Sequence, residues 1–192
     1  MIMDSFEQRI LGFFETIHPL DQVKRAGYIL RGVPEPESVA AHSHFVAVLT
    51  LLVCDEYPAD FDRDKAITLA LTHDLCEAQL MDIPMPVADA HLKEAKDVAE
   101  QAITEKLFAG FDEKYAHYHQ EFLDASTPEA QLIRGLDKVQ MMLKILMYQQ
   151  EGKGRLKEFW LNPKNFNDFG IEGVSKIFDA ICDAAGKPRP RD

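Results

Sequence analysis

The sequence predicts an all-α fold in a single domain. Apolar residues recur at helical spacing along the whole chain, and no convincing period-two strand appears. Prolines and glycines punctuate those apolar periods instead of interrupting them. With 192 residues, 46% of them hydrophobic and 28% charged, the chain is long and apolar enough for one sizeable core.

Each element has a local reason. Residues 5–17 read as an amphipathic helix closed by Pro19, and a short helix is expected within 20–30. Arg31-Gly-Val-Pro-Glu-Pro-Glu-Ser38 is a turn-rich loop. Residues 39–55 form a strongly apolar central helix with Ser38 as N-cap. After a loop containing Pro58, Asp62 or Asp64 caps a helix running to about residue 80, stopped by Pro84 and Pro86. Residues 88–109 read as a charged amphipathic helix ending near Gly110, followed by a shorter one at 112–124. Thr127-Pro-Glu-Ala opens a long helix to about residue 150, with Pro at its first position and acid in its first turn. One or two further helices fall in 154–185, broken at Asn162-Pro163 and Gly170. The domain is expected to span 1–185, with 186–192 a flexible tail. No internal repeat is visible.

The net charge of −11 leaves no basic stripe for a nucleic-acid polymer, although a few arginines could still bind one small anion. Cys54, Cys76 and Cys182 lie in apolar helical contexts, which suits core residues in a reducing compartment and no disulfide framework. No apolar run is expected to span a bilayer, and Met1-Ile-Met-Asp-Ser-Phe-Glu lacks the regions of a signal peptide. A cytoplasmic location with no membrane partner is the expectation.

The chemistry-bearing feature is the doublet His73-Asp74. An imidazole nitrogen and a carboxylate oxygen side by side can grip one divalent metal. His42 upstream and Asp137 downstream lie in segments that otherwise read as buried helix, where a carboxylate needs a partner. The bland readings are a hydrogen-bonded core histidine for His42, a pairing with Arg134 for Asp137, and chance for the doublet. Their conjunction favours a ligand set. Two nitrogens and two oxygens suit one ion of Mn, Co, Fe, Zn or Mg, without choosing among them. Glu77 is expected on the same helix face as the doublet, and Asp82 just past the helix end. Taken alone, Glu77 reads as a solvated residue and Asp82 as a turn former. Arg25 and Arg31 flank a Gly-Tyr-Ile-Leu stretch and could grip a phosphate.

Three blocks resemble the HD-domain superfamily of metal-dependent phosphohydrolases, and within it the 5′-deoxynucleotidase-like branch. They are Arg31-Gly-Val-Pro-Glu-Pro-Glu-Ser-Val-Ala-Ala-His42, His73-Asp-Leu-Cys-Glu-Ala-Gln-Leu-Met-Asp-Ile-Pro84 and Leu136-Asp-Lys-Val. The resemblance implies His42, His73, Asp74 and Asp137 as metal ligands and Glu77 holding or polarising the attacking water. It implies Asp82 as acid–base residue at the leaving oxygen, with Arg31 and Arg25 on the substrate phosphate. The chain departs from the branch at Met81, where Gly is usual, and at Arg25-Ala-Gly-Tyr28, where an Arg-Trp pair is expected.

The implied reaction is hydrolysis of a phosphate monoester, a (deoxy)nucleoside 5′-monophosphate, by a helical-bundle enzyme. Its partner is a small-molecule phosphate ester, and family members are often homodimers. One alternative is a two-metal phosphodiesterase or di-iron oxygenase using His91, His117 or His119; another is a non-catalytic metal-binding module. His117 and His119 are two apart and so face different ways on a helix. His44 stands in the same relation to His42. Phe159, Trp160, Phe166 and Phe169 read as packing of the C-terminal helices, and Met141, Met142 and Met147 as core or a dimer face.

Overall fold

Residues 5–190 are described by a computed structural model. The α-helices in chain order are α1 (Phe6–Ile17), α2 (Ala26–Ile29), α3 (Val39–Glu56), α4 (Arg63–Thr72), α5 (Glu77–Leu80), α6 (Met85–Val87), α7 (Lys93–Leu107), α8 (Lys114–Asp124), α9 (Pro128–Gln150) and α10 (Glu172–Ala185). Among the described residues the only β pairing is an isolated bridge between Lys24 and Ser38.

The helix starts follow capping chemistry. Ser5 and Gln8 form a reciprocal capping box on α1. Ser38 accepts the Ala41 N–H, Asp62 the Lys65 N–H and Thr127 the Ala130 N–H at the starts of α3, α4 and α9.

α9 is the axis of the core. Its Leu132, Ile133, Leu136, Val139, Met142 and Ile145 are completely buried, each such side chain contributing roughly 1.5–3 kcal/mol of transfer free energy. α3, α4, α8 and α10 all pack on it. Trp160 and Phe166 are buried with Phe178 at the α10 end, as packing residues. Met141 and Met142 are buried, whereas Met147 is exposed. The three cysteines are free and buried.

Several expectations need correction. The helix carrying the doublet does not run to residue 80. α4 stops at Thr72, and the backbone then switches to i→i−3 bonds: Leu75 to Thr72, Glu77 to Asp74 and Ala78 to Leu75. Apolar periodicity carries straight through such a tightened turn, so sequence cannot reveal it. The charged helix starts at Lys93, after a π turn at Ala88–Leu92. Within the stretch expected to be a flexible tail, Arg189 is held by several partners: it donates to the Phe166 and Ser175 carbonyls and to the carboxylates of Asp168 and Asp179. Residues 191–192 lie outside the described residues.

Contrary to the expectation for apolar runs, α3 is long and apolar enough to cross a membrane by length and composition. Its Val46, Val53 and Cys54 pack inside with residues of α4 and α9, and Val39 is buried with Leu20 and Val23. Phe45, Val48 and Leu52 on the same helix remain exposed.

Candidate metal centre

His42 comes from the first turns of α3, His73 caps the C-terminus of α4, Asp74 follows it in the tight turn, and Asp137 lies mid-way along α9. Three elements that share a core therefore converge on one point. His42, His73 and Asp137 each offer a ligand atom, all within 4.8 Å of one another. Asp74 completes the group: its Oδ2 is 3.3 Å from His73 Nε2 and 3.6 Å from His42 Nε2. His42 Nε2 is 3.1 Å from Asp137 Oδ1.

Both histidines are locked in the tautomer a metal needs. His42 Nδ1 lies 2.6 Å from Gln140 Oε1, and Gln140 Nε2 donates to both carboxylate oxygens of Glu37 at 3.0 and 3.1 Å. A carboxylate only accepts, so the amide nitrogen faces Glu37 and the amide oxygen faces His42. His42 must then carry its proton on Nδ1. His73 Nδ1 likewise donates to the Ala70 carbonyl at 2.9 Å. Each Nε2 is left as a buried nitrogen without a hydrogen-bond partner, aimed at the two carboxylates. That donor set fits a divalent cation, and the carbonyl and amide behind the rings are the outer support such ligands use.

The electrostatics favour ionised acids around a cation. Burial alone would raise Asp74, but His73, His42 and Arg25 hold it well below the usual carboxylate range. Burial works against Asp137 too, and Lys138, His42 and Arg25 overcome it. Burial lowers His73, while Asp74 more than compensates and raises it. Glu77 is pushed well above its ordinary value by burial and by the charges of Asp74 and Asp82. Its Oε2 is buried without a partner.

The remaining expected residues separate. Glu77 and Asp82 line the same cavity as His73, Asp74 and Asp137, a space of about 1180 Å³. Asp82 accepts the Ala26 N–H and faces Arg25 at 3.5 Å. Arg25 reaches Asp74 and Asp137 at 3.5 and 3.6 Å, so it stands within the acid cluster. Arg31 also lines the cavity, but its guanidinium is bound to Glu158. Arg134 does not pair with Asp137; it caps α8 through the Phe122 and Leu123 carbonyls.

His44, His91 and His117 are exposed. His119 is buried, with neither ring nitrogen partnered, and burial, reinforced by His73, pushes it down to about 4. It is not among the clustered ligand atoms.

Sequence reasoning missed Glu37, Gln140 and the lysine behind them, Lys144, whose Nζ is 3.6 Å from Glu37. The available signal was Gln140, a polar residue one turn after Asp137 on the buried stripe of α9. Met81 was noted only as a departure. It adopts φ 68°, ψ 163°, a region tolerated by glycine, in the turn that presents Asp82.

With this geometry in hand, comparison with known proteins is informative. The HD-domain family model matches residues 17–166. The protein named 5′-deoxynucleotidase HDDC2 from Danio rerio is 32% identical over 161 residues, covering 81% of this chain and 78% of that protein. Its Homo sapiens counterpart is 29% identical over 157 residues, covering 79% and 74%. The crystal structure of PH0347 protein from Pyrococcus horikoshii OT3 superimposes with a TM-score of 0.75 at 33% identity, over 92% of this chain and 98% of that one.

Proposed function

Because this chain belongs to the HD-domain family, we propose that its buried His–Asp centre hydrolyses the phosphate ester of deoxynucleoside 5′-monophosphates, releasing nucleoside and inorganic phosphate. The enzyme is a metal-dependent nucleotide phosphohydrolase, in line with relatives named 5′-deoxynucleotidases. The observation that carries the reading is the pair of buried, unpartnered Nε2 atoms of His42 and His73, facing two carboxylates at the wall of one cavity.

His42, His73, Asp74 and Asp137 would hold one divalent ion per chain. When bound, such an ion supplies Lewis-acid stabilisation of phosphoryl charge and lowers the pKa of water. The other steps belong to side chains. Arg25, already among the acids, offsets charge on the phosphate. Glu77, with a free buried oxygen, orients the attacking water and takes its proton. As water adds to phosphorus in line, the bond to the 5′-oxygen breaks, and Asp82, entering the step protonated, gives its proton to that oxygen; the proton taken up by Glu77 makes good that loss, so the two carboxyls return to their starting states. The Ala26 N–H and Arg25 hold Asp82 in place for this. Arg31, moored to Glu158, serves the outer part of the cavity.

The test is phosphate release from a panel of ribo- and deoxyribonucleoside 5′- and 3′-monophosphates. Metal-stripped protein is resupplied with Mn, Co, Fe, Zn or Mg, beside Asp74→Ala. Ion-dependent release from the 5′-esters, lost in Asp74→Ala, is expected. Silence across the panel with one ion bound per chain would overturn the substrate class, and two ions per chain would overturn the single-ion reading.

A further inference from the structure

Lys96 is an unassigned cation of the cavity. It lies in the first turn of α7, an element that contributes none of the residues discussed above, and lines the cavity with Asp74, Glu77, Asp82 and Arg25. Its ammonium is bound to Glu100 one turn later. The pair is asymmetric: the Lys96 side chain is 20% exposed and that of Glu100 only 7%. Both side chains line the cavity, with the carboxylate as the more deeply buried anchor of the ammonium.

An ordinary i,i+4 pair on a solvated helix face contributes only a few tenths of a kcal/mol and holds neither partner firmly. Here both partners are withdrawn from water. Breaking the pair by removing the lysine alone would leave a buried carboxylate uncompensated, so the geometry pins the lysine. An ammonium has three N–H donors, and Glu100 engages one end of that set. The charges of Glu77 and Asp74 also act on Lys96.

A charge count gives the lysine a purpose. Asp74, Asp82 and Asp137 pair with Arg25, and Asp137 pairs also with Lys138 on the same cavity wall. Both of these cations are already committed to carboxylates, so a phosphate dianion entering this acidic cavity calls for positive charge beyond Arg25 and Lys138, because like charges brought together without a counter-charge repel. We infer that Lys96, pinned by Glu100, is a second phosphate-binding cation, donating to a phosphoryl oxygen of the substrate from the α7 wall while Arg25 acts from the segment before α2. This rests on the phosphohydrolase reading above.

The experiment compares wild type with Lys96→Met/Glu100→Gln, a double variant that leaves no unpaired buried charge, and with Lys96→Arg. Each manganese-loaded protein is titrated calorimetrically with inorganic phosphate. KM and kcat are measured on a deoxynucleoside 5′-monophosphate, and manganese affinity and Tm are recorded as well. In the double variant the phosphate Kd and the KM should rise about tenfold or more, about 1.4 kcal/mol, with manganese affinity and Tm unchanged. Lys96→Arg should stay within about threefold of wild type on the charge argument. Phosphate Kd and KM within twofold of wild type in the double variant would overturn the inference, as would a loss confined to manganese affinity. Should the double variant not melt cooperatively, Lys96→Gln, which can still donate to Glu100, carries the same comparison. Phosphate titration needs no turnover. A silent nucleotide panel therefore sinks the activity, and equal phosphate affinities sink Lys96.

Discussion

Gln140 decides which nitrogen of His42 faces Asp74 and Asp137. The two residues are 98 positions apart in sequence and 2.6 Å apart in space. Glu37 orients the amide, the amide oxygen takes the Nδ1 proton, and Nε2 is left with its lone pair toward Asp74 and Asp137.

Gln140→Met removes that acceptor without removing a ligand. Metal affinity should fall about 10- to 100-fold, the usual effect of losing outer support for a metal-binding histidine. Calorimetric titration with manganese reads this directly, and an unchanged Kd would show that His42 needs no orienting partner. The metal-free Tm, taken alongside, separates this loss from general destabilisation.

Asp82→Asn keeps an acceptor for the Ala26 N–H but cannot deliver a proton. Turnover of a deoxynucleoside 5′-monophosphate should drop about 10²- to 10⁴-fold with manganese affinity unchanged. Full turnover in this variant would remove Asp82 from the acid role. Loss of manganese together with turnover would instead place Asp82 among the groups that hold the ion.

Met81→Gly tests stored backbone strain. Met81 stands at φ 68°, ψ 163° with its side chain more than half exposed, a conformation costing a side-chain-bearing residue about 1–3 kcal/mol. Glycine removes that cost but adds roughly 0.5–1 kcal/mol of unfolded-state entropy. The net expectation is a gain of up to about 2 kcal/mol, read by urea denaturation. A loss of stability would mean that the side chain contributes more than its exposure suggests.

His119 makes the protein acid-sensitive. Burial, helped by His73, brings its folded-state pKa down to about 4, against an ordinary 6.5. As pH falls, the unfolded chain takes up the proton first. This contribution to stability is complete above about pH 6.5 and is lost progressively toward pH 4. The shift corresponds to about 3 kcal/mol across that window. His119→Leu should therefore flatten the stability-versus-pH curve between pH 6.5 and 4, measured by denaturant midpoints. Parallel curves for the two proteins would show that the buried ring does not govern this limb.

The helices were readable because capping and periodicity are local. Ser5, Ser38, Asp62 and Thr127 each announce a start within one turn of chain, and the buried stripe of α9 repeats at the spacing of a single helix. The doublet, His42 and Asp137 stood out because polar groups on apolar helices need a reason. The break after Thr72 was not readable, since a change from i→i−4 to i→i−3 bonding leaves the apolar pattern almost intact. Neither was the difference between Arg25 and Arg31. Both are arginines beside a loop, and only the packing of that loop sends one into the acid cluster and the other to Glu158.

From its sequence alone this chain is a helical domain carrying a His … His-Asp … Asp set, since helix starts, helix stops and ligand chemistry are properties of single residues and their near neighbours. Which nitrogen of each histidine faces inward, which arginine meets the acids, and how Lys96 comes to share their cavity follow from the packing of α3 and α4 on α9 and of α7 on α5 and α8. Those depend on how distant side chains fill one core, and short-range pattern carries no record of that.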